Sequence, residues 1–188
     1  MKIVVVACAA CALLATPAMA QSIGEKTGIN AMVGASPSTA DFVTQAAVSD
    51  MFEIESSKLA TERADAQSKT FAQRMITDHT ETSKELKSLV ESGKVQASLP
   101  TALDSSHQSK LDKLRSLQGA DFDKQYDSDQ VSAHKDAVSL FERYANGGDN
   151  AALKAFAGKY LPHLQEHLRM AESLGTGSPA PTVGQGSQ

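Results

Sequence analysis

The sequence predicts an all-α protein built from four long helices. Three observations predict it. Ala, Leu, Lys, Glu, Gln and Ser dominate beyond residue 20, and runs of β-branched residues are missing there. Apolar residues recur at a spacing near 3.6, with no strand-like alternation. Capping and stop signals then divide residues 38–174 into two pairs of long segments, separated by one long connection.

The first long helix starts at Ser38. Asp41, three residues on, gives it a start resembling a capping box. It runs to about Ala64. The second runs from about Asp65 or Ala66, with Asp65 the best N-cap, to Ser92, where Gly93 ends it. The connection spans Lys94 to Ala120. Pro100 punctuates it, and Asp104 or Ser105 caps a short helix reaching Leu117. Leu111, Leu114 and Leu117 share one side of that helix, and Gly119 stops it. The third long helix begins near Asp121 and ends at Asn146-Gly147-Gly148. Asp149 is the expected cap of the fourth, which runs to about Leu174. Pro162 within it should kink it or remove one backbone hydrogen bond. Two hairpins joined by a long crossover let the second and third long helices run parallel. That is the connectivity of a ferritin-like four-helix bundle, here with a short helix inside the crossover.

The flanks read differently. Met1-Lys2, the apolar run Ile3–Ala15 and Ala18-Met19-Ala20 form a secretory signal peptide over residues 1–20, cleaved after Ala20. The expected location is therefore the periplasm. Residues 21–37 read as a flexible lead-in. Residues 175–188, with Pro179 and Pro181, read as a disordered tail.

Both cysteines, Cys8 and Cys11, fall inside the signal segment. The remaining chain has no thiol for a disulfide, a nucleophile or a thiolate metal site. An acylated Cys8 or Cys11 would leave too short an apolar stretch before it, which argues against a lipoprotein. The net charge is −4, and no basic block offers a surface for nucleic acid or an anionic membrane. No other apolar run approaches the ~20 residues that span a bilayer, so no transmembrane anchor is expected in the mature chain.

The chemistry rests on histidines. His79 interrupts the stripe Phe71, Met75, Thr82, Leu86 on the second long helix. His134 lies on the stripe of Phe122, Gln130, Val138 and Phe141, and His167 on that of Phe156, Tyr160, Leu164 and Ala171. In a bundle these stripes converge. On the first helix Glu53 lies on the stripe Phe42, Ala46, Ser49, Ser56, Ala60, while Glu55 lies near Val48, Phe52 and Leu59; either could point inward. Asp78 adjoins His79, Asp127 lies two turns before His134, and Glu166 adjoins His167. His163 is four residues before His167, so both can share one helix face. The candidate ligands are therefore His79, His134, His167, His163, Glu53 and Asp78.

Imidazole with carboxylate suits zinc or iron, and imidazole with Met75 or Met170 suits copper. One such ion is the expected cofactor. A carboxylate-bridged di-iron centre would need Glu-x-x-His steps. Ile76, Val131, Tyr160 and Leu164 stand where those glutamates belong. The run His163-x-x-Glu166-His167 has the form of an inverted zinc-protease motif, but it lies on a final bundle helix beside Pro162. The bland alternative makes each histidine a core residue bonded to a carboxylate or hydroxyl, and the methionines core filler. His107, in the first turn of the short helix, reads as exposed or capping. No phosphate-binding glycine loop and no nucleophile elbow occur, and no catalytic residue is assigned.

Ser38-Thr39-Ala40-Asp41-Phe42, Phe71-Ala72-Gln73-Arg74-Met75-Ile76-Thr77-Asp78-His79, Leu99-Pro100, Asp121-Phe122-Asp123-Lys124-Gln125-Tyr126, His134-Lys135-Asp136-Ala137 and His167-Leu168 together resemble the exported bacterial family DUF4142. The resemblance covers about Ser38 to Leu174, and Met-x-x-Asp-His is its most specific piece. It implies a ferritin-like fold and an exported protein of unestablished activity. The functional expectation is an exported, stress-linked binding protein with a His/carboxylate metal site in its core. The alternatives are a metal-free structural or interaction protein with an envelope protein partner, and a metal-dependent redox enzyme.

Overall fold

The computed structural model describes residues 34–175. The expected signal peptide, most of the lead-in and all of the tail beyond Gly175 lie outside them. Among the described residues there are five α-helices and no strand: α1 Thr39–Arg63, α2 Ala66–Glu91, α3 Ser105–Ser116, α4 Gly119–Gly147 and α5 Ala151–Ser173.

Local chemistry sets most of these boundaries. Ser38 caps α1: its Oγ accepts from the Asp41 amide at 3.1 Å and donates to Asp41 Oδ2 at 2.8 Å. Ala64 and Asp65 are both extended, and these two residues alone make the α1–α2 turn, so no glycine is needed. Asp65 then accepts from the Ser68 amide at 2.8 Å. Asp104 caps α3 in the same way through the His107 amide.

Two boundaries differ from the sequence expectation. Helix α4 starts at Gly119, not near Asp121; the extended Leu117 and Gln118 are the whole link from α3, and Gly119, at φ +54°, turns the chain into α4. The cap of α5 is Asn150, whose side chain accepts from the Leu153 amide at 3.0 Å, and not Asp149. Asp149 Oδ1 is already committed to Thr39 Oγ1 at 2.6 Å and Tyr144 Oη at 3.0 Å. Those bonds pin the α4–α5 turn to the start of α1. Pro162 leaves α5 continuous. It has no N–H for the carbonyl of Gly158, and the ring sits on the exposed side of the helix.

α1 pairs with α2 and α4 with α5, while α1 also packs on α4 and α2 on α5. The short α3 lies against α1 and α4. One apolar cluster gathers Phe42, Leu86, Phe141, Tyr144 and Phe156 at one end. A second gathers Ala60, Phe71, Phe122, Tyr126 and Met170 at the other. The first cluster therefore draws on the C-terminal halves of both α2 and α4, and the second on their N-terminal halves. These two helices run in the same direction, as the long crossover requires.

Between the clusters lies a buried polar layer of Asp50, Glu53, His79, Gln130, His134 and His167, each no more than 4% exposed. Burying so many polar groups at the level where two apolar clusters meet is costly unless they are paired or bound. No helix among the described residues is long and apolar enough to cross a membrane.

Candidate metal centre

The layer is built by periodicity. On α2 the buried positions Phe71, Met75, His79, Thr82 and Leu86 recur every three or four residues, so His79 must face the interior. The same rule places His134 in line with Tyr126, Gln130 and Ala137 on α4, and His167 in line with Tyr160, Leu164 and Met170 on α5. The three imidazoles are 1–2% exposed. Their ring centroids form a nearly equilateral triangle, with sides of 5.6 Å (His79–His134), 5.5 Å (His79–His167) and 5.5 Å (His134–His167). Each offers a ligand atom within 4.8 Å of those of the other two.

Each ring is held from outside by an oxygen. His79 Nδ1 donates to Asp50 Oδ1 at 2.8 Å, and Asp50 Oδ2 accepts from Ser83 Oγ at 3.0 Å. His134 Nδ1 donates to the carbonyl of Gln130 at 2.9 Å. His167 Nε2 donates to Asp78 Oδ2 at 2.8 Å, which also accepts from Arg74 Nε at 3.2 Å. These acceptors fix the tautomers. They leave His79 Nε2, His134 Nε2 and His167 Nδ1 buried and without a hydrogen bond. A nitrogen lone pair facing the interior and an N–H anchored on an outer oxygen is the arrangement that prepares imidazoles as metal ligands.

Glu53, from α1, is the fourth component. It is 1% exposed, Oε1 stands 4.0 Å from His134 Nδ1, and neither carboxylate oxygen has a hydrogen bond. The Gln130 amide is turned to Ser56 Oγ at 3.2 Å. Burial pushes the Glu53 carboxyl up to about 7, against the opposing pull of His79.

The histidines differ in charge preference. Burial works against a charged His79, but the hydrogen bond and charge of Asp50, with Glu53 and Asp78, outweigh it and raise its pKa. Burial, reinforced by His79 and His167, holds His134 well below the ordinary histidine value. Burial also lowers His167, despite Asp78. The Asp78 carboxyl is lowered, chiefly by its hydrogen bond with His167.

The remaining sequence candidates fall elsewhere. Asp78 holds His167 from behind and does not join the triangle. His163 is exposed, one turn from His167, with its ring centroid 6.1 Å from that of Tyr160. Glu55 pairs with Lys58 on the surface, Glu166 with Arg169, and Asp127 accepts from Ser68 Oγ. The Met170 sulfur accepts from Arg74 Nη1 at 3.3 Å, and Met75 fills the apolar cluster beside the layer. His107 accompanies the α3 cap, its Nδ1 2.9 Å from Asp104 Oδ1.

Sequence reasoning missed Asp50. Its signal was available: Asp50 lies four residues after Ala46 and three before Glu53, on the buried face of α1.

A narrow cleft of about 90 Å³ opens between α2 and α5, lined in part by Asp78, Glu81, Tyr160 and His163, with His79 and His167 at its floor. The layer thus meets the surface on one edge of the triangle.

Among the described residues the fold is all-helical, and its core holds this buried trio of histidines. The family profile described as a domain of unknown function (DUF4142) matches residues 25–174, and the chain belongs to that family. No curated protein and no solved structure matches it.

Proposed function

We propose that this protein is an exported, ferritin-like bundle of the periplasm that binds one transition-metal ion, in a stress-linked and non-catalytic role. His79 Nε2, His134 Nε2 and His167 Nδ1 are the ligands, and Glu53 is the adjacent carboxylate. The observation that carries this reading is the set of three buried ring nitrogens without hydrogen bonds, each opposite an anchored N–H. In a metal-free core such nitrogens would forfeit their hydration with nothing in return, about 1–3 kcal/mol each. A bound ion removes that penalty three times over.

The donor set narrows the ion. Three neutral imidazoles with a carboxylate in reach suit zinc, copper or iron. Such an ion would supply a Lewis acid or a redox centre; the chain's own part is to orient the rings and to limit solvent access to one edge of the site.

Elemental analysis of the protein purified from periplasm, without chelator or affinity tag, tests the proposal. About one equivalent of metal per chain is expected from a single three-histidine site, with none in a folded His79→Ala/His134→Ala/His167→Ala variant. A native protein that is empty and takes up no added zinc, copper or iron would overturn it, and the histidines would then be structural.

A further inference from the structure

The triangle is closed on most sides. The Phe42–Phe156 cluster lies beyond one face and the Phe71–Met75–Tyr126 cluster beyond the other. Asp50 and Glu53 of α1 close a third side. The His79–His167 edge is different, because those two residues form the floor of the α2–α5 cleft while His134 does not line it.

The mouth of that cleft carries the chemistry of cation capture. His163 stands exposed at the rim, one helical turn before His167 on the same face. Glu81 lines the same mouth and makes no ion pair among the described residues. The one cation there, Lys159, is engaged by Glu85 at 2.5 Å, with Tyr160 Oη on the same carboxylate at 2.8 Å. The mouth therefore offers an imidazole and an uncompensated carboxylate on the way in, and two imidazoles below.

We propose that this cleft is the entry route for a divalent cation, with His163 as a transient outer ligand and Glu81 as the steering charge. This rests on the metal-binding reading above. An ion caught by His163 passes down one turn of α5 to His167, exchanging one imidazole for the next without full rehydration. His134 closes the coordination from the far side. A volume of about 90 Å³ leaves room for an ion with a partial water shell and for little else. His163 then belongs to the kinetics of loading and not to the final ligand set.

The test is stopped-flow loading of the full mature chain with Zn²⁺ or Co²⁺ at pH 7.5, read by competition with a chromophoric chelator, in the wild type and in His163→Gln and Glu81→Lys variants. Both positions are at the surface, so both variants fold. The expected result is association slowed about tenfold in each, in line with the focusing effect of charged clefts on on-rates, with the final stoichiometry unchanged. Loading at the wild-type rate in both variants overturns the entry route while leaving the three-histidine site standing. A wild type that takes up no ion overturns both proposals at once.

Discussion

Asp50 Oδ1 lies 2.8 Å from His79 Nδ1, and the two side chains are 5% and 2% exposed. A buried carboxylate on α1 thus dictates which nitrogen of an α2 imidazole faces the core. Asp50→Asn keeps the shape but removes the charge, and an amide can present N–H where the carboxylate accepts. The His79 tautomer is then no longer enforced. Loss of such a supporting partner typically costs about 10–100-fold in metal affinity. Competition titration with a zinc chelator should show that loss with stoichiometry retained.

Glu53 makes a pH prediction for the metal-free protein. Its carboxyl is raised from 4.5 to about 7 in the folded state. Between those values the folded chain holds a proton that the unfolded chain has released, so stability falls as pH rises. The loss is complete above about pH 7 and amounts to roughly 3 kcal/mol at ~1.4 kcal/mol per unit. Glu53→Gln removes it. Urea denaturation with chelator present should show the variant more stable than wild type at pH 8 and indistinguishable at pH 4. Equal stability at pH 8 would remove the buried-carboxylate argument.

His134 predicts a separation of stability from binding. Its pKa is well below the ordinary value because of burial, and its Nε2 has no partner. His134→Leu replaces an unsatisfied polar group with an apolar one of similar bulk, which is neutral or stabilising without metal. Metal should raise the wild-type stability by about 2.7 kcal/mol at a hundredfold excess over Kd. The variant should show no such gain. Thermal melts with and without zinc read both effects.

The apolar end of the fold predicts the largest loss of stability. Phe42 is fully buried, its ring 4.3 Å from Tyr144 and 5.0 Å from Phe141 by centroid. Phe42→Ala should cost about 3–5 kcal/mol. Gly148 is the second sensitive position there, since a Cβ would come within 2.6 Å of the Tyr144 carbonyl oxygen. Gly148→Ala should cost about 1–3 kcal/mol from the forced backbone shift. Calorimetry of the two variants checks both.

Much of this fold was legible in the residues. The apolar period located five helices, and Ser38, Asp65 and Asp104 marked three of the starts, because each accepts from an amide three residues on. His79, His134 and His167 were legible for the same reason: an imidazole in an apolar stripe is conspicuous. Asp50 was not, because Ser49 was read on the inward stripe and a charged residue is ordinarily assigned to solvent. Asp149 was misread as a cap because its carboxylate is taken up by Tyr144 across the α4–α5 turn and by Thr39, which is distant in sequence. Gly119 was read as a stop because a left-handed glycine marks an ending as readily as a sharp redirection. The cleft between α2 and α5 depends on how two helices non-adjacent in sequence lie together, and no local pattern encodes that.

The three imidazoles come from three helices, and Asp50 and Glu53 from a fourth. The crossover between α2 and α3 divides this set: Asp50, Glu53 and His79 precede it, while His134 and His167 follow it. A chain severed in that crossover would give one piece with α1 and α2 and another with α3, α4 and α5, each holding an incomplete share of the ligands. Fragment complementation then becomes a question of added metal, since an ion gripped from both halves would act as a non-covalent splint. Reassociation of the halves would report, by a concentration-dependent assembly signal, on a site that no single segment of the chain contains.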